Sequence, residues 1–197
     1  MIADGEVPPA VEQVAERSGV SVSSIFRMFD GLDDMRAQAV AEFQVRYAHL
    51  LAIDVEPTTP RSRRIELLVR SRVELCAAAG PLLRLARQRA IDHDPIAERV
   101  TTHRMMLAEQ TRRFLSAETG ELTPAEAANL VAVVDATTSP DAFEVLGAGH
   151  GRSRRQVERT WIRTVEAIVS DWCGPDENDD DEDDERSELR PTTGDET

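Results

Sequence analysis

Three hydroxyls, a guanidinium and a branched methyl surface fall within seven consecutive positions of this chain: Ser21, Val22, Ser23, Ser24 and Arg27. A serine hydroxyl donates to a phosphate oxygen or accepts from a base edge. An arginine fork pairs with guanine or with a phosphate, and a valine touches a thymine methyl. On the outer face of one short helix, such a set suits the major groove of DNA.

The elements that must position these groups are legible around them. The stretch from Val11 to Met35 reads as a helix-turn-helix. Ala15 is the small residue that lets a second helix cross close over the first. Gly19, four residues on, stands where the backbone must turn with positive φ. Ser21 is placed to cap the second helix by accepting an N–H from its first turn. Val14, Val20, Ile25 and Met28 take the inward positions, which leaves Val22, Ser23, Ser24 and Arg27 facing out.

The run from Ser24 to Met35 resembles the end of the recognition helix and the start of the next helix in the TetR/AcrR family of transcriptional regulators. Ile25, Arg27, Phe29, Gly31, Asp33 and Met35 fit that pattern. Gly151 to Val157, followed by an amphipathic helix, is similar to the family's last connection. The resemblance extends over residues 3–172 in architecture and is strong in sequence over residues 11–35. It implies DNA contacts at Ser21, Val22, Ser23, Ser24, Phe26, Arg27 and Met28. Three positions depart from the family. Phe26 and Met28 replace aromatic residues whose polar groups touch phosphates, and Leu32 replaces a phosphate-binding lysine. The family also places a whole helix before the motif. Here ten residues precede Val11, and Met1 to Gly5 reads as that helix's last turn. The expectation is a start recorded too late, the alternative a weakened reading head.

Composition points to an all-α protein. Long apolar stripes recur at helical spacing, and no strand-like alternation is sustained. No stretch is apolar for long enough to span a membrane, and no signal peptide is visible. The organisation read from the sequence is a helix-turn-helix domain over residues 1–49, a helical effector-binding and dimerisation domain over 50–174, and an acidic disordered tail over 175–197. In the body, helices are expected from about Asp33 to Ile53, Arg61 to Ala79 with a stop at Gly80-Pro81, Pro81 to Arg89, Asp94 to Glu118, Thr123 to Leu146 with a kink or break at Pro140, and Ser153 to Trp172. Asp33 and Asp34 complement the dipole where the first of these begins.

All 23 basic residues are arginine, against 37 acidic residues. The net charge of −14 is concentrated in the tail, where twelve acids and two arginines give −10. Residues 1–49 still hold eight acids and four arginines, which is the reverse of the basic footprint that tight DNA binding shows. Cys76 and Cys173 match no metal or redox spacing and read as thiols in a reducing cytoplasm. His93, Asp94 and His103 do not make a metal site. There is no Gly-rich phosphate loop, no nucleophile elbow and no histidine–acid constellation. The expectation is therefore a non-enzyme without cofactor or metal.

Arg72, Cys76, His103, Met106, Gln110, Phe114, Val134 and Phe143 are the candidates for an effector pocket, a mixed lining suited to a small amphiphile. Val145, Leu146, Val157, Trp161, Val165 and Ile168 form apolar stripes on the last two helices. The resemblance implies that these build a homodimer as a four-helix bundle. The expected function is a ligand-responsive repressor that binds a double-stranded DNA operator as a dimer. The alternative is a dimeric helical sensor or interaction protein that binds no DNA and retains a vestigial helix-turn-helix.

Overall fold

The computed structural model describes residues 10–56, 58–92 and 94–175. Met1 to Gly5, His93, the tail beyond Pro175 and the side chains of Leu32 and Asp33, all named above, lie outside the described residues. Those described are all-α, with no strand among them.

In chain order the helices are α1 (Val11–Ser18), α2 (Val22–Met28), α3 (Leu32–Leu51), α4 (Arg61–Arg89), α5 (Asp94–Phe114), α6 (Ser116–Gly120), α7 (Pro124–Thr137), α8 (Pro140–Glu144) and α9 (Arg154–Cys173). A π-helical turn, Val145–Gly149, follows α8. Four of the nine starts carry a side-chain cap, Ser21 of α2 among them. Thr123, Ser139 and Ser153 accept from the backbone N–H of Glu126, Ala142 and Gln156, and Thr123 and Ser153 complete reciprocal capping boxes. Pro124 and Pro140 take first positions where no N–H is needed. The break expected near Pro140 is present, between Thr137 and Pro140. At the start of α3, Asp34 accepts the Asp30 N–H at 3.0 Å.

The stop expected at Gly80-Pro81 is absent: α4 runs through both residues to Arg89. Proline removes one N–H and disfavours helical backbone at the residue before it through a clash with that residue's Cβ. Gly80 has no Cβ to clash. Just before it, Leu75, Cys76 and Ala79 are buried. Leu83 packs with Tyr47 and Leu51 against a cluster of Leu50, Leu75, Ala79 and Leu107. Burial of these side chains outweighs the lost backbone hydrogen bond.

The main core joins α4, α5, α7 and α9. Ile65, Leu68, Val69, Val73 and Cys76 meet Phe114, Leu130, Val134, Val157, Trp161, Val165 and Val169. Here the expectation for α9 needs correcting. Val157, Trp161 and Val165 were read as a face for a second subunit, yet each is enclosed within the chain. Leu146 and Ile168 are half-buried against the same core, while Val145 is exposed. An apolar stripe at this spacing needs one partner surface, and α4 and α7 already provide it.

Candidate functional site

The first candidate site is the hairpin of α1 and α2. Gln13 holds the start of α1, its Oε1 accepting the Ala10 N–H at 2.9 Å. Gly19 ends the helix at φ 69° and ψ 15°, the left-handed conformation in which glycine meets no steric cost. Ser21 then caps α2, its Oγ accepting the Ser24 N–H at 3.2 Å. Ile25 is the buried residue of α2, with Val11 its counterpart on α1.

The outward side of α2 is chemically mixed. The hydroxyls of Ser23 and Ser24 lie 3.1 and 2.9 Å from Ser21 Oγ. Arg27 donates from Nη2 to Ser24 Oγ at 3.1 Å. Four of the five residues singled out for groove chemistry thus form one hydrogen-bonded row, which holds the guanidinium along the exposed helix face. Val22 and Ser24 are half-buried; Ser21, Ser23 and Arg27 are exposed. Phe26 and Met28 are also exposed, at 52% and 64%. Met28 was expected to point inward. It does not: Ile25 is the buried residue of α2 and Met28 lies open to solvent.

The second candidate site lies between α4 and α5. Arg72 is 1% exposed. Its Nε donates to Gln110 Oε1 at 2.8 Å. Its Nη2 donates to Leu107 O at 2.6 Å, Thr111 Oγ1 at 2.9 Å and Asp135 Oδ1 at 3.1 Å. Thr111 in turn donates to the same Asp135 oxygen. Gln110 passes the connection on, its Nε2 donating to Leu50 O at 2.6 Å. Arg113 donates to Leu51 O at 2.7 Å. Two α5 side chains thus satisfy carbonyls in the last turn of α3, groups with no partner inside their own helix. The helix that leads from the hairpin is bonded directly to the residues around Arg72.

Of the eight residues proposed to line a pocket, Arg72, Cys76, Gln110, Phe114 and Val134 are fully enclosed. Arg72 and Gln110 bond each other, while Cys76, Phe114 and Val134 are part of the apolar core. Phe143 stacks edge-on against Trp161, with centroids 6.0 Å apart. Met106 is 45% exposed and so is not part of an enclosed lining with these residues. His103 is half-buried. A shallow depression on α5, lined by Asp94, Ala97, Glu98, Thr101 and Thr102, shares none of these residues.

The electrostatics follow from burial. Desolvation lowers the Arg72 pKa, against the opposing charge and hydrogen bond of Asp135. Burial pushes the Cys76 thiol up to about 12 despite the nearby charges of Arg72 and Arg87, so it stays protonated. Burial, and secondarily the Arg72 charge, hold His103 below its ordinary value. Among the described residues, no group of three or more His, Cys, Asp or Glu side chains converges as a metal site would require.

Asp135 and Thr111 escaped the sequence reading. Thr111 shares a helix face with Gln110 and Leu107, a visible periodicity. Asp135 is 63 residues from Arg72, and nothing local marks it. Comparison with protein-family models, with curated proteins and with solved structures finds no match for the chain.

Proposed function

We propose that the chain is a DNA-binding transcriptional regulator, a ligand-responsive repressor of the TetR type that acts as a homodimer. The observation that carries the reading is the α1–α2 hairpin. Gly19 and Ser21 set a tight turn, Ile25 anchors the second helix, and Ser23 and Arg27 are left on its exposed face. The hydrogen-bonded path from Arg72 through Gln110 to Leu50 supports the ligand response. A change at Arg72 reaches the end of α3, and only three residues separate α3 from the end of α2. In a dimer, a small movement of α3 alters the separation of two recognition helices, which must match one helical turn of DNA. No helix among the described residues is long and apolar enough to cross a membrane.

The test is DNA binding by the 197-residue chain across a salt series, with fragments from the gene's own upstream region. Specific binding is expected, with affinity falling as salt rises. Arg27→Ala is expected to weaken it by about 1–3 kcal/mol if the guanidinium reads a base, with specificity relaxed at that position. Absence of specific binding at low salt by a folded chain would sink the proposal.

A second reading has its own support. Phe26 and Met28 put apolar surface where phosphate donors are wanted, and residues 1–49 carry twice as many acids as arginines. These favour a helical sensor whose hairpin no longer binds DNA, and the same experiment separates the two.

A further inference from the structure

Two buried polar atoms of the body have no hydrogen-bond partner: Arg72 Nη1 and His103 Nε2. Buried polar groups in native proteins are almost always satisfied, and an orphaned charged donor is the costliest exception. Both belong to the seam where α4 packs on α5. Arg72 bonds the backbone of Leu107, and His103 stands one turn before Leu107 on α5. The remaining guanidinium nitrogens are fully used by Gln110, Leu107, Thr111 and Asp135. Nη1 is therefore the part of Arg72 left to meet something from outside.

We propose that Arg72 and His103 form a binding site for a singly charged carboxylate, the headgroup of a small organic acid. The chemistry selects this class. Nη1 offers only N–H groups, so it rejects ammonium and other donor-only ligands. The His103 imidazole, close enough to feel the Arg72 charge and held neutral, donates as well in the tautomer with its proton on Nε2. A carboxylate has two oxygens to accept both, and bonds to an ionised acceptor are the stronger kind. Asp135 pairs with Arg72 on the Nη2 side alone and its side chain is 20% exposed, so water shares its charge; the Nη1 side keeps the positive character for one anionic acceptor and no more. The Cys76 thiol, one turn from Arg72 on α4, is protonated and adds none. Entry is from the His103 side, since His103 is half-buried and its neighbour Met106 exposed, whereas Arg72 is sealed.

The assignment rests on the effector reading only for its consequence at DNA; binding is measured without DNA. Butanoate is titrated calorimetrically into the full chain, with 1-butanol and butylamine as matched neutral and cationic probes. Saturable binding of one butanoate per chain is expected, with butanol and butylamine at least about tenfold weaker. His103→Ala, which removes a side chain from the edge of the site, is expected to weaken butanoate by about tenfold or more while the thermal melt stays cooperative. Arg72→Gln is expected to abolish binding, and His103→Ala decides the matter should that variant fail to fold. Absence of saturation, equal binding of butanol, or an unchanged affinity in His103→Ala each overturns the proposal and leaves water as the partner of both atoms. The two readings fail separately. A chain that binds DNA but not butanoate refutes the carboxylate site alone, and one that binds butanoate but not DNA refutes the regulator alone.

Discussion

Glu118 is 4% exposed and carries a full charge, which only its partners permit. Arg64 grips it with both terminal nitrogens, at 2.9 and 2.6 Å, and Arg61 adds a bond from Nε at 3.1 Å. Burial by itself raises the carboxyl pKa. The hydrogen bonds and charge of Arg64, a backbone bond and the bond from Arg61 outweigh it, so the value is lowered from the usual one. A carboxyl depressed on folding stabilises the protein above its unfolded pKa, and that stability is lost as pH falls through the folded value. Urea melts should therefore show stability declining below about pH 4.5, with a shallower decline in Glu118→Gln. Glu118→Ala leaves Arg64 buried without its carboxylate and is expected to cost about 3–5 kcal/mol.

His103 gives a separate pH signature. Its imidazole is held below its ordinary value by burial and then by Arg72. The unfolded chain therefore takes the proton first as pH falls through about 6.5. Stability declines below that pH and levels off once the folded imidazole is protonated too. In His103→Ala this part of the decline disappears, a comparison made with denaturant melts between neutral and mildly acidic pH.

At the scale of elements, most boundaries could be read because they rest on local chemistry. Ser21, Thr123, Ser139 and Ser153 each cap the helix that follows, and each needs only its own side chain and the next three residues. Gly80-Pro81 shows the limit of such reasoning. The helix continues because residues around positions 50 and 107 cover the faces of α4, and that packing leaves no mark near position 80. The candidate sites divide in the same way. The row from Ser21 to Arg27 was legible, being contained within one short helix and its cap. Around Arg72, the polar residues on one α5 face could be named, but their bonds to Asp135 and Leu50 depend on how three helices meet. The hairpin yields a direct test. Gly19 holds positive φ, and although a Cβ there would meet no atom within 4 Å, Gly19→Ala imposes backbone strain of about 1–2 kcal/mol. Amide exchange should accelerate across α1 and α2 while the amides of α4 and α9 keep their protection.

For the molecule as a whole, stability is unevenly distributed. Both apolar clusters are built from α3 onward, and neither includes Val11 or Ile25, the buried residues of the hairpin. The hairpin is expected to open at lower free energy than the body, as segments with few buried contacts do. The body behaves in the opposite way around α9. Trp161 is fully enclosed by its own chain, so Trp161→Ala is expected to cost about 3–5 kcal/mol of folding stability. Sedimentation alongside thermal melting checks this. If Trp161 served mainly to join subunits, the variant would become a monomer with an unchanged melt.

Arg61 does more than neutralise Glu118: its Nη1 also donates to Gly174 O at 2.7 Å, just past the end of α9. Arg64 in the same turn of α4 donates to Phe114 O and Thr59 O. These bonds tie a loop, the end of α5 and the end of α9 to one turn. Mechanically, this is a clamp. A pull on the chain at Pro175 does not peel α9 away residue by residue. The load passes through Gly174 into α4, the helix shared by both apolar clusters, and the bonds at the clamp must be strained together. Traction on the C-terminal end is thus resisted by the body at once, while traction toward the N-terminus meets the hairpin first and reaches the body only through α3.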